Sequence, residues 1–377
     1  MTIPFLDLGA MHAEVAPQIE AAWREVSGSA RFVGGPSVED FEARWAAYCG
    51  TRHCVGVANG TAALELALTA LGIGRGHEVI VPANTFIASA AAVAATGATP
   101  VFADVDPPTL LLTAQSIAPH LTPRTSAIMV VHLYGQPADM DAINALASRV
   151  GVCVIEDAAQ AHGATWRGQR AGGLSTVGCF SFYPGKNLGA FGDAGAVVTN
   201  DAVLAERIRQ LANHGRCQDD PYRHDILGDN QRLDSLQAAI LSAKLSRLDA
   251  WNAARRRVAR LYAGALEGLP VRLVSVAEGA VSSHHLAVVR TPERTGLKQA
   301  LASAGIATGI HYPIPCHKQA PFLARRREAL PVSEQAAGEI LSLPMYPHLT
   351  EGQVFQIAEA IASFAAMPVA AMAGARS

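Results

Sequence analysis

From about residue 53 the chain alternates between short β-branched apolar runs and segments whose apolar residues recur at helical spacing. Residues 53–57, 78–82, 100–104, 126–132 and 152–156 predict strands, with helices over 61–71, 87–96 and 140–149 between them. Further strand-like runs follow at 179–182 and 196–199. These runs are apolar nearly throughout rather than alternating, which marks strands covered on both faces. The order predicts an α/β architecture, a mostly parallel sheet flanked by helices.

After residue 230 the pattern changes to one long helical region in which Leu241, Leu245 and Leu248 recur at helical spacing. Two more strands are expected at 283–290 and 307–312. This reads as a large domain over 1–248, a smaller C-terminal α+β domain over 249–366, and a flexible tail at 367–377 that offers no apolar stripe to bury. The length of 377 residues suits two such domains at roughly 150 residues each.

Charge narrows the partners. Thirty basic against thirty-two acidic residues leave a formal charge of −2, so nothing in the balance favours a nucleic acid or an anionic bilayer. Residues 79–103 carry no charge and are long enough to span a membrane, but Pro82, Asn84, Gly97 and Pro100 break them into strand, loop, helix and strand. Met1 to Asp7 show no signal-peptide pattern. Cys49, Cys54, Cys153, Cys179, Cys217 and Cys316 form no CxxC pair, and they read as reduced thiols of a cytoplasmic chain.

Five local features carry candidate chemistry. Asn59-Gly60-Thr61-Ala62 ends a strand and opens a helix; it reads as an ordinary capped helix or as a phosphate site made of amides, a hydroxyl and the positive dipole end. Glu156 and Asp157 stand at the carboxyl end of a strand, the edge where open α/β sheets bind ligands, and read equally as metal carboxylates or a helix cap. Lys186 follows a strand in a turn of aromatic and apolar neighbours, Cys179-Phe180-Ser181-Phe182-Tyr183-Pro184-Gly185-Lys186. Most lysines are solvated surface charges. Desolvation among Phe182, Tyr183 and Leu188 would disfavour the ammonium and free a nucleophile for a carbonyl. A phosphate-binding P-loop fails here, because Phe180 and Asn187 occupy positions that need Gly and Ser or Thr.

Together the three features match pyridoxal 5'-phosphate: an aldehyde for Lys186, a phosphate for Gly60, Thr61 and Ser181, and a pyridine nitrogen for Asp157. Phe86 is positioned to stack on the ring, though a core phenylalanine is the commoner outcome. The remaining features are the polar turn Asn230-Gln231-Arg232-Leu233-Asp234 and the cluster from Gly309 to Lys318. His284, His285, His311 and His317 fit no zinc-ligand spacing, so no metal is expected.

In this order the segments resemble the DegT/DnrJ/StrS family of sugar aminotransferases, fold-type I pyridoxal phosphate enzymes. The most specific matches are Glu156-Asp157-Ala158-Ala159-Gln160-Ala161-His162-Gly163-Ala164, Ser181-Phe182-Tyr183-Pro184-Gly185-Lys186-Asn187-Leu188-Gly189 and Asn230-Gln231-Arg232-Leu233-Asp234. The likeness extends from Phe5-Leu6-Asp7-Leu8 to Leu343-Pro344-Met345-Tyr346-Pro347. It implies Lys186 as the catalytic Schiff-base lysine, Asp157 as partner of the ring nitrogen and Gln160 beside the ring hydroxyl. It also implies Phe86 on the ring, Ser181 with Gly60, Thr61 and Ala62 at the phosphate, and Asn230 reaching the phosphate of a neighbouring subunit. A homodimer with shared active sites follows from the last role. Tyr183, Arg216, His311, Tyr312, His317 and Lys318 match the substrate side. Two departures stand out: Ala194 replaces a glycine of the usual Gly-Asp-Gly-Gly run, and Gly185 stands where Thr is frequent.

The resemblance implies transfer of an amino group from L-glutamate to a nucleotide-linked ketosugar, with a dTDP-3-keto-6-deoxyhexose favoured by the His162-Gly163-Ala164 context. The product would be a 3-amino sugar for natural-product or polysaccharide biosynthesis. Alternatives are a 4-keto sugar or inosose acceptor, and a regulatory protein that keeps the cofactor without turnover. A dehydratase of the same fold has histidine in place of the lysine, against Lys186 here. A dinucleotide oxidoreductase lacks its GxGxxG after the first strand.

Overall fold

The computed structural model describes residues 2–217, 219–220, 222–325 and 329–366; the expected tail at 367–377 lies outside them. Nine strands precede residue 200: β1 His53–Val57, β2 Glu78–Pro82, β3 Thr99–Ala103, β4 Thr125–Val131, β5 Cys153–Asp157, β6 Thr165–Trp166, β7 Gln169–Arg170, β8 Val177–Ser181 and β9 Gly195–Thr199. Seven of them form one sheet in the order β1-β9-β8-β5-β4-β2-β3. The pairs β2–β3, β2–β4, β4–β5 and β5–β8 are parallel, and only β9 runs against its neighbours β1 and β8. The α/β reading with a mostly parallel sheet therefore holds.

The near-continuous apolar strands have a simple cause. Side chains alternate across a sheet, and here both faces are covered. Val55, Val57, Val79, Val81, Met129, Ile155 and Val197 join helices Gly60–Ala70, Ile87–Ala95 and Ala202–Ala212 in one core. Ile80, Ile128, Val130 and Val154 face helix Met140–Val150 on the other side, where Cys54, Phe180, Ala196 and Val198 meet helices Pro36–Cys49 and Ser235–Leu245. The uncharged stretch 79–103 becomes β2, a nine-residue helix and β3. Among the described residues no helix is long and apolar enough to cross a membrane.

Beyond the main sheet lie β10 Arg272–Leu273, β11 Ala280–Val281, β12 Ala287–Arg290 and β13 Ile340–Leu343. The antiparallel sheet β10-β12-β13 packs with helices Leu248–Ala265, Arg294–Ser303 and Glu351–Ala365. β11 pairs instead with β6.

Three expectations need correction. The long helix is two, Ser235–Leu245 and Leu248–Ala265, parted by a turn in which Arg247 N donates to Lys244 O. The turn lets Leu241 and Leu245 enter one core while Val258 and Tyr262 enter another. Residues 307–312 form no strand; they touch β13 through a single bridge at Gly309, just after another at Ile306. The strand expected at 283–290 starts only at Ala287, because Ser282 and Ser283 spend their hydroxyls on Gly135 O and His284 has φ 43°.

Candidate active site

At the edge where β1, β4, β5 and β8 end, a cavity of about 800 Å³ opens. Asn59, Gly60, Thr61, Ala62, Phe86, Asp157, Gln160, Ser181, Tyr183, Lys186, His311 and Tyr312 all line it, so sequence-distant segments meet in one place.

Helix Gly60–Ala70 begins there with Asn59 as its cap: Asn59 Oδ1 accepts from Ala62 N at 2.9 Å, and Ala63 N donates to Asn59 O. The first turn of a helix has four amides without intrahelical partners. Ala63 N makes the first intrahelical bond and Ala62 N is taken by the Asn59 side chain, so the amides of Gly60 and Thr61, residues of the cavity wall, remain unspent with the positive dipole end behind them. Residue 60 has to be glycine, since a Cβ there would stand 2.5 Å from Ser181 Cβ. That contact presses the helix start against the end of β8. Ser181 Oγ accepts from Tyr183 N at 3.3 Å, which leaves its proton for another acceptor.

The two acidic residues of β5 part company, as neighbours on a strand must. Glu156 is fully buried and structural: it accepts from Gly172 N at 2.6 Å, Leu174 N at 2.8 Å and Ser175 Oγ at 3.0 Å, and meets His132 Nε2 at 2.9 Å. Asp157 closes the strand at the cavity. Ser89 Oγ donates to its Oδ2 at 2.7 Å and Ala159 N to its Oδ1 at 3.2 Å, so the carboxylate is held while lone pairs remain. Thr85 Oγ1 lies 2.9 Å from Ser89 Oγ and extends this chain.

Lys186 sits in a loop that closes on itself through Lys186 N to Tyr183 O at 2.8 Å, Ala190 N to Phe182 O at 2.8 Å and Phe182 N to Ala194 O at 2.7 Å. Burial lowers its ammonium to about 8, opposed in part by the carboxylate of Asp157. Phe182 and Leu188 are fully buried behind the loop as expected, but Tyr183 is 59% exposed and shields nothing. Ala194 is fully buried. At Gly185 a Cβ would meet only ordinary contacts, the nearest Leu6 Cδ2 at 3.5 Å, so the glycine there is not required by crowding.

Across the cavity, Gln160 Oε1 accepts from Tyr134 N at 2.7 Å and Gln160 Nε2 donates to Tyr312 Oη at 3.2 Å. Tyr312 lies 5.4 Å from the half-exposed ring of Phe86. His311 stacks on Phe5 at 5.7 Å, and its Nδ1 is 2.8 Å from Ser342 Oγ. Burial and the Lys186 charge lower it to about 4, which keeps it neutral. His285 also lines the cavity, 3.2 Å from Asn187 Oδ1, and burial pushes it well below the usual histidine range.

Four of the candidates are not in the lining. Asn230 is exposed and accepts from Arg232 Nε, and Arg216 bridges to His224. His317 and Lys318 converge on Glu334 at 3.0 Å and 2.5 Å and hold its carboxyl at about 2. The contributors that the sequence reading missed are Phe5, Leu6, Ser89 and His285. Ser89 had a signal, because a hydroxyl three residues into the helix after Phe86 faces the sheet edge.

The chain thus offers a recessed primary amine, a fixed carboxylate and a helix start with two outward amides around one cavity. A phosphorylated pyridine aldehyde fits this set: the amine meets the aldehyde, the carboxylate a protonated ring nitrogen, and the amides with Ser181 the phosphate. Among the described residues no group of three or more His, Cys, Asp or Glu could hold a metal ion.

A model of the DegT/DnrJ/EryC1/StrS aminotransferase family matches residues 14–362. The chain is 49% identical over 370 residues to dTDP-3-amino-3,4,6-trideoxy-alpha-D-glucose transaminase of Streptomyces venezuelae, covering 96% of each protein. It is also 49% identical over 353 residues to the erythromycin biosynthesis sensory transduction protein EryC1 of Saccharopolyspora erythraea, covering 93% of this chain and 96% of that one. Among solved structures, S. venezuelae DesV in complex with a ketimine intermediate superposes with a TM-score of 0.95 at 47% identity, over 97% of this chain and 99% of that one.

Proposed function

The chain belongs to the DegT/DnrJ/EryC1/StrS aminotransferase family, and from that premise we propose that it transfers an amino group from L-glutamate to a nucleotide-linked 3-keto-6-deoxyhexose, using pyridoxal 5'-phosphate. The products are 2-oxoglutarate and a 3-amino sugar. The observation that carries this reading is the placement of Lys186 and Asp157 on one cavity with the capped helix start at Asn59 and Gly60, about a hundred residues earlier in the chain. The dTDP-linked acceptor rests on the likeness to the Streptomyces transaminase.

Pyridoxal phosphate, when bound, supplies an aldehyde that exchanges amines and a cationic ring that spreads the negative charge left by removal of a Cα proton. The chain does the rest. Asp157, fixed by Ser89 and the Ala159 amide, holds the ring N–H and so keeps the ring cationic. The Gly60 and Thr61 amides with Ser181 would hold the phosphate at the positive end of the helix dipole, whereas the Ala62 amide, expected there too, is taken by Asn59 Oδ1. Phe86 would stack on the ring and Gln160, held by the Tyr134 amide and Tyr312, would meet the ring hydroxyl. Lys186 Nζ would take the proton from Cα of glutamate and deliver it to the carbon that had carried the cofactor's aldehyde oxygen; with the sugar it would take the proton from that carbon and deliver it to C-3. Lowering the amine from 10.5 to about 8 makes it a competent base near neutral pH while leaving it able to donate. Neutral His311 and His285, with Tyr183 and Tyr312, are placed to hydrogen-bond sugar hydroxyls.

The site is completed by a second copy of the chain. The segment carrying Arg216 and Asn230 exposes Tyr222 and Leu227 almost entirely, and Trp23, Phe32 and Phe191 are also open; apolar exposure of this kind marks an association surface. Through it Asn230 reaches the phosphate in the other copy's cavity, and Arg216 its substrate.

The test is to incubate the purified protein with L-glutamate and a panel of 3-keto and 4-keto nucleotide sugars, following 2-oxoglutarate release and locating the new amine by NMR. Amination at C-3 of a dTDP sugar is expected; amination only at C-4, or glutamate deamination without any acceptor in the panel, would overturn the substrate assignment. Absence of both half-reactions in cofactor-loaded protein would favour a regulatory role.

A further inference from the structure

A second cavity of about 220 Å³ lies behind the first, between helix Leu248–Ala265 and the start of the small antiparallel sheet. Its walls are chiefly apolar: Ala259, Ala263, Leu273, Val274, Val276 and Val288. An apolar cavity of about 150 Å³ in a protein admits benzene, so this one has room for a small branched hydrocarbon group.

The polar side chains in the wall are mostly spent. Gln136 Nε2 donates to Ser275 O at 2.8 Å while its Oε1 accepts from Ala277 N, Ser282 Oγ donates to Gly135 O, and Tyr134 Oη donates to His311 O. The exception is His284, whose ring nitrogens make no hydrogen bond found among the described residues. Positive charge surrounds it. Arg256 and Arg260 stand three residues before the wall residues Ala259 and Ala263, one helical turn away at the rim, and their charges are felt at His284. Arg255 is fully buried, donates only to the carbonyls of His284, His285 and Met345, and has no carboxylate against it among the described residues. Burial, helped by these three guanidinium groups, lowers His284 to about 4.

The wall that separates the two cavities is thin. Leu286 lines both, and His284 and His285 face opposite sides. Tyr134 lines the second cavity, while its amide holds Gln160 and its hydroxyl holds the carbonyl of His311 in the first. Tyr134 and His284 both have left-handed backbone, with φ 62° and 43°. Gly135 lets the two segments touch, since a Cβ there would lie 2.7 Å from His285 N.

The geometry points to a second ligand site, one that takes a small branched aliphatic carboxylate with its hydrocarbon end among Ala263, Val274 and Val288 and its anion at His284, Arg256 and Arg260. Occupancy is felt in the main cavity through Tyr134 and the 284–286 segment, and by linkage the effect is mutual.

Titration calorimetry of the cofactor-loaded protein with 4-methylpentanoate tests this, with 4-methylpentanamide as the uncharged control. Saturable binding of the acid is expected, with the amide at least tenfold weaker. Arg260→Gln, at an exposed position, should weaken the acid at least threefold, and Ala263→Trp, which fills the cavity from its solvent edge, should abolish binding. Binding should survive in Lys186→Ala, which separates this site from the main one. Saturating L-glutamate should change the affinity for the acid; identical affinities would overturn the coupling. No binding, equal binding of acid and amide, or binding lost in Lys186→Ala but kept in Ala263→Trp would overturn the site.

Discussion

Asp157 shows how much a single residue owes to its neighbours. Its carboxylate is useful only while it stays anionic and aimed, and Ser89 and the Ala159 amide fix its direction. Asp157→Asn keeps the shape and removes the charge; loss of one preorganised electrostatic contact costs roughly 10²–10³ in rate, and steady-state kcat should fall by that much. Ser89→Ala leaves a buried carboxylate one donor short, a cost of about 1–3 kcal/mol, and should weaken cofactor retention in dialysis while turnover persists. Lys186 carries a pH prediction. Its amine titrates at about 8 rather than 10.5, so the neutral nucleophile grows about tenfold per pH unit below 8 and levels off above. Reductive labelling of cofactor-free protein by an aldehyde, read by peptide mapping at residue 186, should trace this curve; a midpoint near 10.5 would deny the desolvation.

At the scale of elements, the site depends on how helices start and loops close. Asn59 caps the helix whose first amides face the cavity, and Asn59→Ala should cost about 1 kcal/mol of stability, seen as a lower urea midpoint, together with weaker binding of inorganic phosphate. Gly185 has ordinary backbone and room for a Cβ. Gly185→Ala should therefore stabilise the protein by about 0.4–1 kcal/mol, through a less flexible unfolded chain, with the midpoint rising at unchanged slope. The capping of Gly60–Ala70 and the carboxyl-end position of Asp157 were legible because each is a local rule: a side-chain oxygen before a helix, an acid after a buried strand. The break at 246–247 and the loss of strand over 307–312 were not. Both are decided by which core the flanking side chains enter, and no local pattern records that.

For the whole molecule the main question is the second copy. Tyr222 and Leu227 are exposed beside Asn230, and association would bury them. Sedimentation equilibrium should give twice the chain mass of 39.4 kDa, and Leu227→Asp should shift the protein toward monomer and lower turnover in parallel. A fully active monomer would show that each cavity is self-sufficient.

The order of strands and helices up to residue 199, the turn that presents Lys186, the acid at the end of a buried strand and the capped helix start at Asn59 were legible in the sequence alone, because each rests on periodicity or on residue type at short range. Tertiary structure decided what depends on distance through space. It sent Glu156 to a structural network and Asp157 to the cavity, turned Tyr183 outward, drew His317 and Lys318 to Glu334, and brought Ser89 and His285 into the site. Chain proximity fixes the first kind of fact; the second arises only when two sheet faces and a second, smaller sheet have to bury their apolar sides together.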